Sequence, residues 1–133
     1  MTRKQEREQA FCLIFEKCFR EETCDEVLEL AKDIRDFKLT DYITNVFMGV
    51  YENLEFIDSV ISKYLDKWTI DRISKTDLSL LRLAVYEMKF CDDIPESVTV
   101  NEAVELAKNY SGEKGPSYIN GVLGNILRSG ELA

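Results

Sequence analysis

The 133-residue chain offers carboxylates, lysines, arginines, four cysteines and no histidine as its reactive side chains. Without histidine there is no Ser-His-Asp triad, no Cys-His dyad, no imidazole metal site and no imidazole pH switch. Cys12, Cys18, Cys24 and Cys91 are separated by six, six and 67 positions, which matches no CxxC metal or redox motif. Free, mostly buried thiols in a reducing cytoplasm are the ordinary expectation. Ser111-Gly112-Glu113-Lys114-Gly115 holds two glycines and a lysine, but its spacing is not that of a phosphate loop and no strand precedes it. Asp92-Asp93 and Glu21-Glu22 lack the ligand ladder of a calcium loop. Glu102 and Glu105 lie three apart on a helical stretch, yet the di-iron bundle pattern needs Glu-x-x-His. Solvated or structural carboxylates are therefore expected, with no metal, no cofactor and no catalytic group.

Binding chemistry remains. The net charge of −8 argues against general nucleic-acid binding, but the charge is unevenly placed. Residues 1–20 carry a net +2, residues 21–66 a net −8 and residues 67–133 a net −2. The basic island is Arg3, Lys4 and Arg7, with Arg3 and Arg7 one helical turn apart on a shared face. Such a face either meets phosphates or is an ordinary solvated helix start. The acidic middle is either a solvated surface or a field that steers a basic partner.

The elements that must position these groups are helices; no window reads as a strand. An apolar stripe of Ala10, Phe11, Ile14, Phe15, Cys18 and Phe19 predicts a first helix from Lys4 to Arg20. Thr23 with Glu26 has capping-box spacing and opens a second, ending near Phe37. Thr40 caps a third. Phe56 to Leu65 marks a fourth, and Trp68, Ile70 and Ile73 form a short apolar bridge. Thr76 or Asp77 opens a fifth, apolar almost all round up to Phe90, which places it at the centre of the fold. Pro95 interrupts the chain, Val98 to Ala107 forms a sixth helix, Gly112 to Pro116 a loop, and Tyr118 to Leu127 a seventh helix closed by Gly130. The expectation is an all-α fold, a compact bundle of about seven helices in a single domain over residues 1–133, with weak internal boundaries at Asp36–Leu39 and Asn53–Glu55. No run is long and apolar enough for a secretory signal or a membrane span.

The string DIPESVTVNEAVELAK at 93–108, followed by SYINGVLGNIL at 117–127, resembles the NusB family of transcription antitermination factors. Arg7-Glu8-Gln9-Ala10-Phe11 with Ile14-Phe15, and DLSLLRLAVYE at 77–87, fall in the order that family shows. The resemblance implies an all-helical, non-enzymatic cytoplasmic protein. It implies binding of boxA RNA together with ribosomal small-subunit protein S-ten (NusE) and loading onto the transcription elongation complex. That would support antitermination on ribosomal RNA operons and ribosome assembly. The RNA contacts carry over to Arg3, Lys4, Arg7, Phe15, Lys114 and Tyr118, and the ribosomal-protein contacts to Asp71, Asp77 and Arg82. Phe15 also continues an apolar stripe, and Arg82 is either an internal salt-bridge partner or a rim contact. A helical protein-interaction adaptor without RNA specificity is the alternative, and both monomer and homodimer are compatible with the sequence.

Overall fold

The computed structural model describes residues 1–34 and 39–133. They form seven helices: α1 (Arg3–Lys17), α2 (Cys24–Ile34), α3 (Asp41–Glu52), α4 (Leu54–Ser62), α5 (Lys75–Phe90), α6 (Glu96–Tyr110) and α7 (Gly115–Ser129). The end of the second helix at Phe37 and most of the Asp36–Leu39 boundary lie outside the described residues. No described helix is long and apolar enough to cross a membrane.

Local signals set the helix starts. Thr2 caps α1 in a reciprocal box: its Oγ accepts from the Gln5 N–H at 3.1 Å, and Gln5 Oε1 accepts from the Thr2 N–H at 2.8 Å. Thr23 and Glu26 make the same exchange at 3.2 and 3.0 Å, as their spacing predicts. Thr40 accepts from the Ile43 N–H and caps α3, also as predicted. Three starts fall earlier than the sequence indicates. Ser74 caps α5, Pro95 stands at the N-cap of α6, and Gly115-Pro116 lies inside α7 rather than in a loop. Proline costs nothing there, because a first-turn N–H has no helical partner in any case. Gly130 closes α7 at φ +74°, in the left-handed region that glycine adopts freely.

Helix α5 occupies the centre, packed by α1, α3, α4, α6 and α7. Leu78, Leu80, Leu81, Leu83, Ala84, Val85 and Met88 are all buried along it, so its all-round apolarity has the consequence expected. Helix α1 runs antiparallel to α5: Arg7 meets Glu87, while Cys18 approaches Ser79. Gly49 of α3 permits the Tyr86 ring to lie where a side chain would sit, 2.3 Å from an added Cβ. The outer part of the first apolar stripe departs from expectation: Phe19 follows the end of α1 and is 65% exposed. The four cysteines are half-buried rather than fully buried.

One charged cluster lies inside this apolar core. Arg7 is 4% exposed and Glu87 is fully buried. Arg7 Nε and Nη2 donate to the two Glu87 oxygens at 2.9 and 3.0 Å. The hydroxyls of Tyr42 and Thr99 each donate to Glu87 at 2.6 Å. Each carboxylate oxygen thus receives two hydrogen bonds, which fills its acceptor capacity. Burial alone would raise the Glu87 pKa, but the donors from Arg7, Thr99 and Tyr42 outweigh it and hold the group below its ordinary value.

Removing one partner leaves an uncompensated buried charge, so Arg7→Ala or Glu87→Ala is expected to cost about 3–5 kcal/mol in urea denaturation. Arg7→Met with Glu87→Leu should recover part of that loss but not all, since the Tyr42 and Thr99 hydroxyls remain unpaired. Because the folded pKa of Glu87 is depressed, its contribution is present above the ordinary carboxylate range and fades as pH falls through the folded value. A double substitution as costly as the sum of the single ones would disprove the coupling.

Candidate nucleic-acid interface

The basic island is divided by the fold. Thr2 starts α1 so that Arg3 and Lys4 project outward. Arg3 lies with its guanidinium carbon 4.2 Å from the Tyr42 ring centroid and its Nε 3.5 Å from Glu6. Lys4 has its side chain 66% exposed and its Nζ 3.9 Å from Glu102. Arg7 takes the inward position described above: helical spacing aligns it with Arg3, but the Glu87 carboxylate draws its guanidinium into the core. The outward cations of α1's first turn are Arg3 and Lys4.

Phe15 is half-buried within a row of rings on α1. Phe11 stands 5.0 Å from Tyr110 and 6.3 Å from Phe15, and Phe15 stands 5.1 Å from Phe19. A shallow hollow beside Phe15 and Phe19 is walled by Glu16, Glu21, Glu22 and Glu26, with Arg20 as its cation. This end of α1 is therefore acidic and aromatic, whereas its start is basic.

Lys114, Tyr118 and Asp77 come together with Trp68 and Arg72 in a groove of about 470 Å³. Three local features build it. Asp66 adopts φ +60°, a left-handed conformation that aspartate tolerates, and turns the chain just after the buried Leu65. Trp68 follows two residues later and is 54% exposed, while Ile73 returns to the core. The short α6–α7 connection brings Ser111 over α5, where its hydroxyl donates to Asp77 Oδ1 at 2.7 Å. Gly115 makes that seat possible, since an added Cβ would stand 2.0 Å from Ser111 Oγ.

Tyr118 presents one unsatisfied group: its hydroxyl oxygen is buried without a hydrogen-bond partner among the described residues. Burial, then the negative charge of Asp77 and Asp66, raises the phenol pKa, so the group stays protonated and remains a donor at neutral pH.

The residues assigned to partner contacts separate as well. Arg82 Nε and Nη2 both donate to the Asp58 carboxylate at 2.9 Å, and its Nη1 lies 3.7 Å from Cys18 Sγ. Of its two readings the structure gives the internal one: Arg82 braces α5 against α4, and its fork is engaged within the fold. Asp71 is exposed, and Asp77 belongs to the groove wall. Trp68 and Arg72 are the groove residues that sequence reasoning missed. An aromatic interleaved with Lys67 and Arg72, off any helical stripe, was the available signal.

The structure defines an all-helical protein with an exposed aromatic and cationic groove, the constitution of a binding module. The chain belongs to the NusB family, whose sequence model matches residues 4–128. It is 44% identical to the transcription antitermination protein NusB of Clostridium botulinum strain Hall, across 96% of this chain and all of that protein. It is 45% identical to the protein of the same name from Acetivibrio thermocellus, across 96% of this chain and 90% of that one. The solved structure of T. maritima NusB superposes with a TM-score of 0.87 at 38% identity, covering 96% of this chain and 92% of that one. A NusB chain from the crystal structure of antitermination factors NusB and NusE in complex with dsRNA superposes with a TM-score of 0.81 at 28% identity. The match covers 97% of this chain and 99% of that one.

Tyr118→Phe removes a buried polar atom that has no partner. It is expected to leave the free protein as stable or to stabilise it, by up to about 1 kcal/mol. Differential scanning calorimetry reads this directly, and a clear drop in Tm would show that the hydroxyl is satisfied in solution.

Proposed function

We propose that this chain is an antitermination factor that binds boxA-type single-stranded RNA together with ribosomal small-subunit protein S-ten (NusE). The assembly joins the transcription elongation complex in the cytoplasm, promotes processive transcription of ribosomal RNA operons and supports ribosome assembly. The observation that carries the reading is the groove of Trp68, Arg72, Lys114 and Tyr118, in which the exposed indole and a half-buried phenol ring stand beside two exposed cations. Single-stranded RNA is held by that pairing of base stacking with phosphate contacts. Arg3 and Lys4 add two outward cations at the start of α1, and Phe15 stands on the same helix. Arg7 supports the site through the fold rather than by touching phosphate.

The net charge of −8 sets the energetic terms. Long-range repulsion opposes RNA approach, so affinity for RNA by this chain alone is modest and salt-sensitive. A basic ribosomal protein would supply positive field. The acid-walled hollow at Phe15 and Phe19 and the exposed Asp71 offer it complementary charge. Two weak contacts made at once bind much more tightly than either alone.

A mobility-shift assay with boxA and scrambled RNA, each with and without the partner, tests the reading. Tight binding is expected only for boxA with partner present. Arg3→Ala with Lys4→Ala should weaken RNA binding and flatten the plot of log affinity against log salt by about 1.4, at roughly 0.7 per lost phosphate contact. An unchanged slope would remove Arg3 and Lys4 from the interface. Equal binding of boxA and scrambled RNA under all conditions would leave a protein adaptor without RNA specificity.

A further inference from the structure

We propose that the groove holds one unpaired guanine of the bound RNA, stacked on Trp68 and read by the carboxylate of Asp77. The proposal rests on the RNA reading above and goes further by naming the base. Its starting point is the donor and acceptor inventory of the groove. Asp77 Oδ1 accepts from Ser111 at 2.7 Å, which steadies the carboxylate, and Oδ2 is engaged by no side chain among the described residues. An ionised carboxylate only accepts, and its two oxygens offer about four lone-pair sites.

Among the four RNA bases, only guanine presents two adjacent N–H donors, N1–H and N2–H2, on its Watson–Crick edge. Adenine and cytosine set one donor beside an acceptor, and uracil sets one N–H between two carbonyls. A carboxylate facing that edge is satisfied by guanine and meets a repelling lone pair from the others. Guanine O6 adjoins N1–H and accepts. Tyr118 lines the same groove, and its hydroxyl, a donor with no partner among the described residues, lies buried behind that wall. Trp68 supplies an exposed ring face for stacking. Lys114 and Arg72 place cations at the walls, where the phosphates flanking a splayed base would run. A volume of about 470 Å³ lies within the range of small-ligand pockets and suits one nucleotide.

Trp68 is the only tryptophan in the chain, so its fluorescence reports on this groove alone. The test uses the full chain with the NusE partner and four uridine-rich decamers, containing one guanine, one inosine, one adenine or uridine only. Affinity is read by anisotropy of labelled RNA, and occupancy of the groove by quenching of Trp68. The guanine decamer is expected to bind on the order of tenfold more tightly than the adenine one, with Trp68 quenched. Inosine keeps N1–H and lacks the exocyclic amine, so it should fall between them.

Asp77→Asn, checked for folding by circular dichroism, should abolish the guanine preference, because an amide presents one donor and one acceptor. Equal affinity for the guanine and adenine decamers on the unaltered protein would overturn the base assignment and leave the RNA reading intact. So would binding of RNA without quenching of Trp68. Quenching by NusE without RNA, and no further change when RNA is added, would assign the groove to the protein partner and overturn the proposal. If no decamer and no boxA RNA binds with or without NusE, the RNA reading fails and the guanine assignment fails with it.

Discussion

The buried pair of Arg7 and Glu87 is the constraint on which the rest of the fold turns. Glu87 sits near the end of the central helix α5, and its four hydrogen-bond donors come from α1, α3 and α6. An apolar core is non-directional, so it fixes density more readily than register. A carboxylate that needs four donors at defined angles fixes register: α1 cannot slide along α5 by one turn without leaving a charge unpaired in the core. Ion pairs of this kind add little net stability over apolar packing. Here the pair selects one arrangement of four helices, and the start of α1 inherits its position from that arrangement.

The same pair explains how a chain of net charge −8 can show a basic edge. Arg7 is neutralised by Glu87 within the core, so it does not contribute to the external field. Arg3 and Lys4 lie one turn before it and are held outside by its anchorage and by the Thr2 cap. Arg3 is further steadied over the Tyr42 ring, and Tyr42 is itself a donor to Glu87. A path of direct contacts therefore runs from the core carboxylate to an outward cation. Burial raises the Tyr42 pKa, and the charge of Glu87 raises it further, so the phenol is a neutral donor at neutral pH.

Features whose cause is local were legible in the sequence. The Thr23–Glu26 box, the Thr40 cap, the all-round apolarity of α5 and the stop at Gly130 each depend on residues within a turn or two. The burial of Arg7 was not legible: its charge grouped it with Arg3 on an outward basic face, and the partner that draws it inward is 80 residues away. Arg82 posed the same question, and Asp58 answered it from α4. Gly115-Pro116 reads as a loop by composition, although the first turn of a helix tolerates both residues. Trp68 was read as part of an apolar bridge because composition cannot tell a tryptophan anchored inward from one turned out. Its outward placement follows two residues after the left-handed backbone at Asp66.

The groove is consequently a tertiary product: the neighbouring stretches around Trp68 and Asp77 meet a segment more than 30 residues further along the chain. The stretch after α4 delivers Trp68 and Arg72, the first turn of α5 delivers Asp77, the α6–α7 connection delivers Ser111 and Lys114, and the start of α7 delivers Tyr118. Gly115 lets Ser111 close onto Asp77, which ties the third segment to the second. Trp68 and Arg72 lie between helices, Asp77 and Tyr118 in the opening turns of α5 and α7, and Ser111 and Lys114 in the connection between α6 and α7. The core behind them is tightly ordered, with Leu78, Ile119 and Leu123 almost inaccessible to solvent. A wall in which Ser111 already holds the Asp77 carboxylate beside an exposed indole loses less entropy when a planar ligand enters than one whose groups must first be ordered. That preorganisation lets a small acidic protein hold an anionic chain through a few short-range contacts, leaving the long-range attraction to a basic partner.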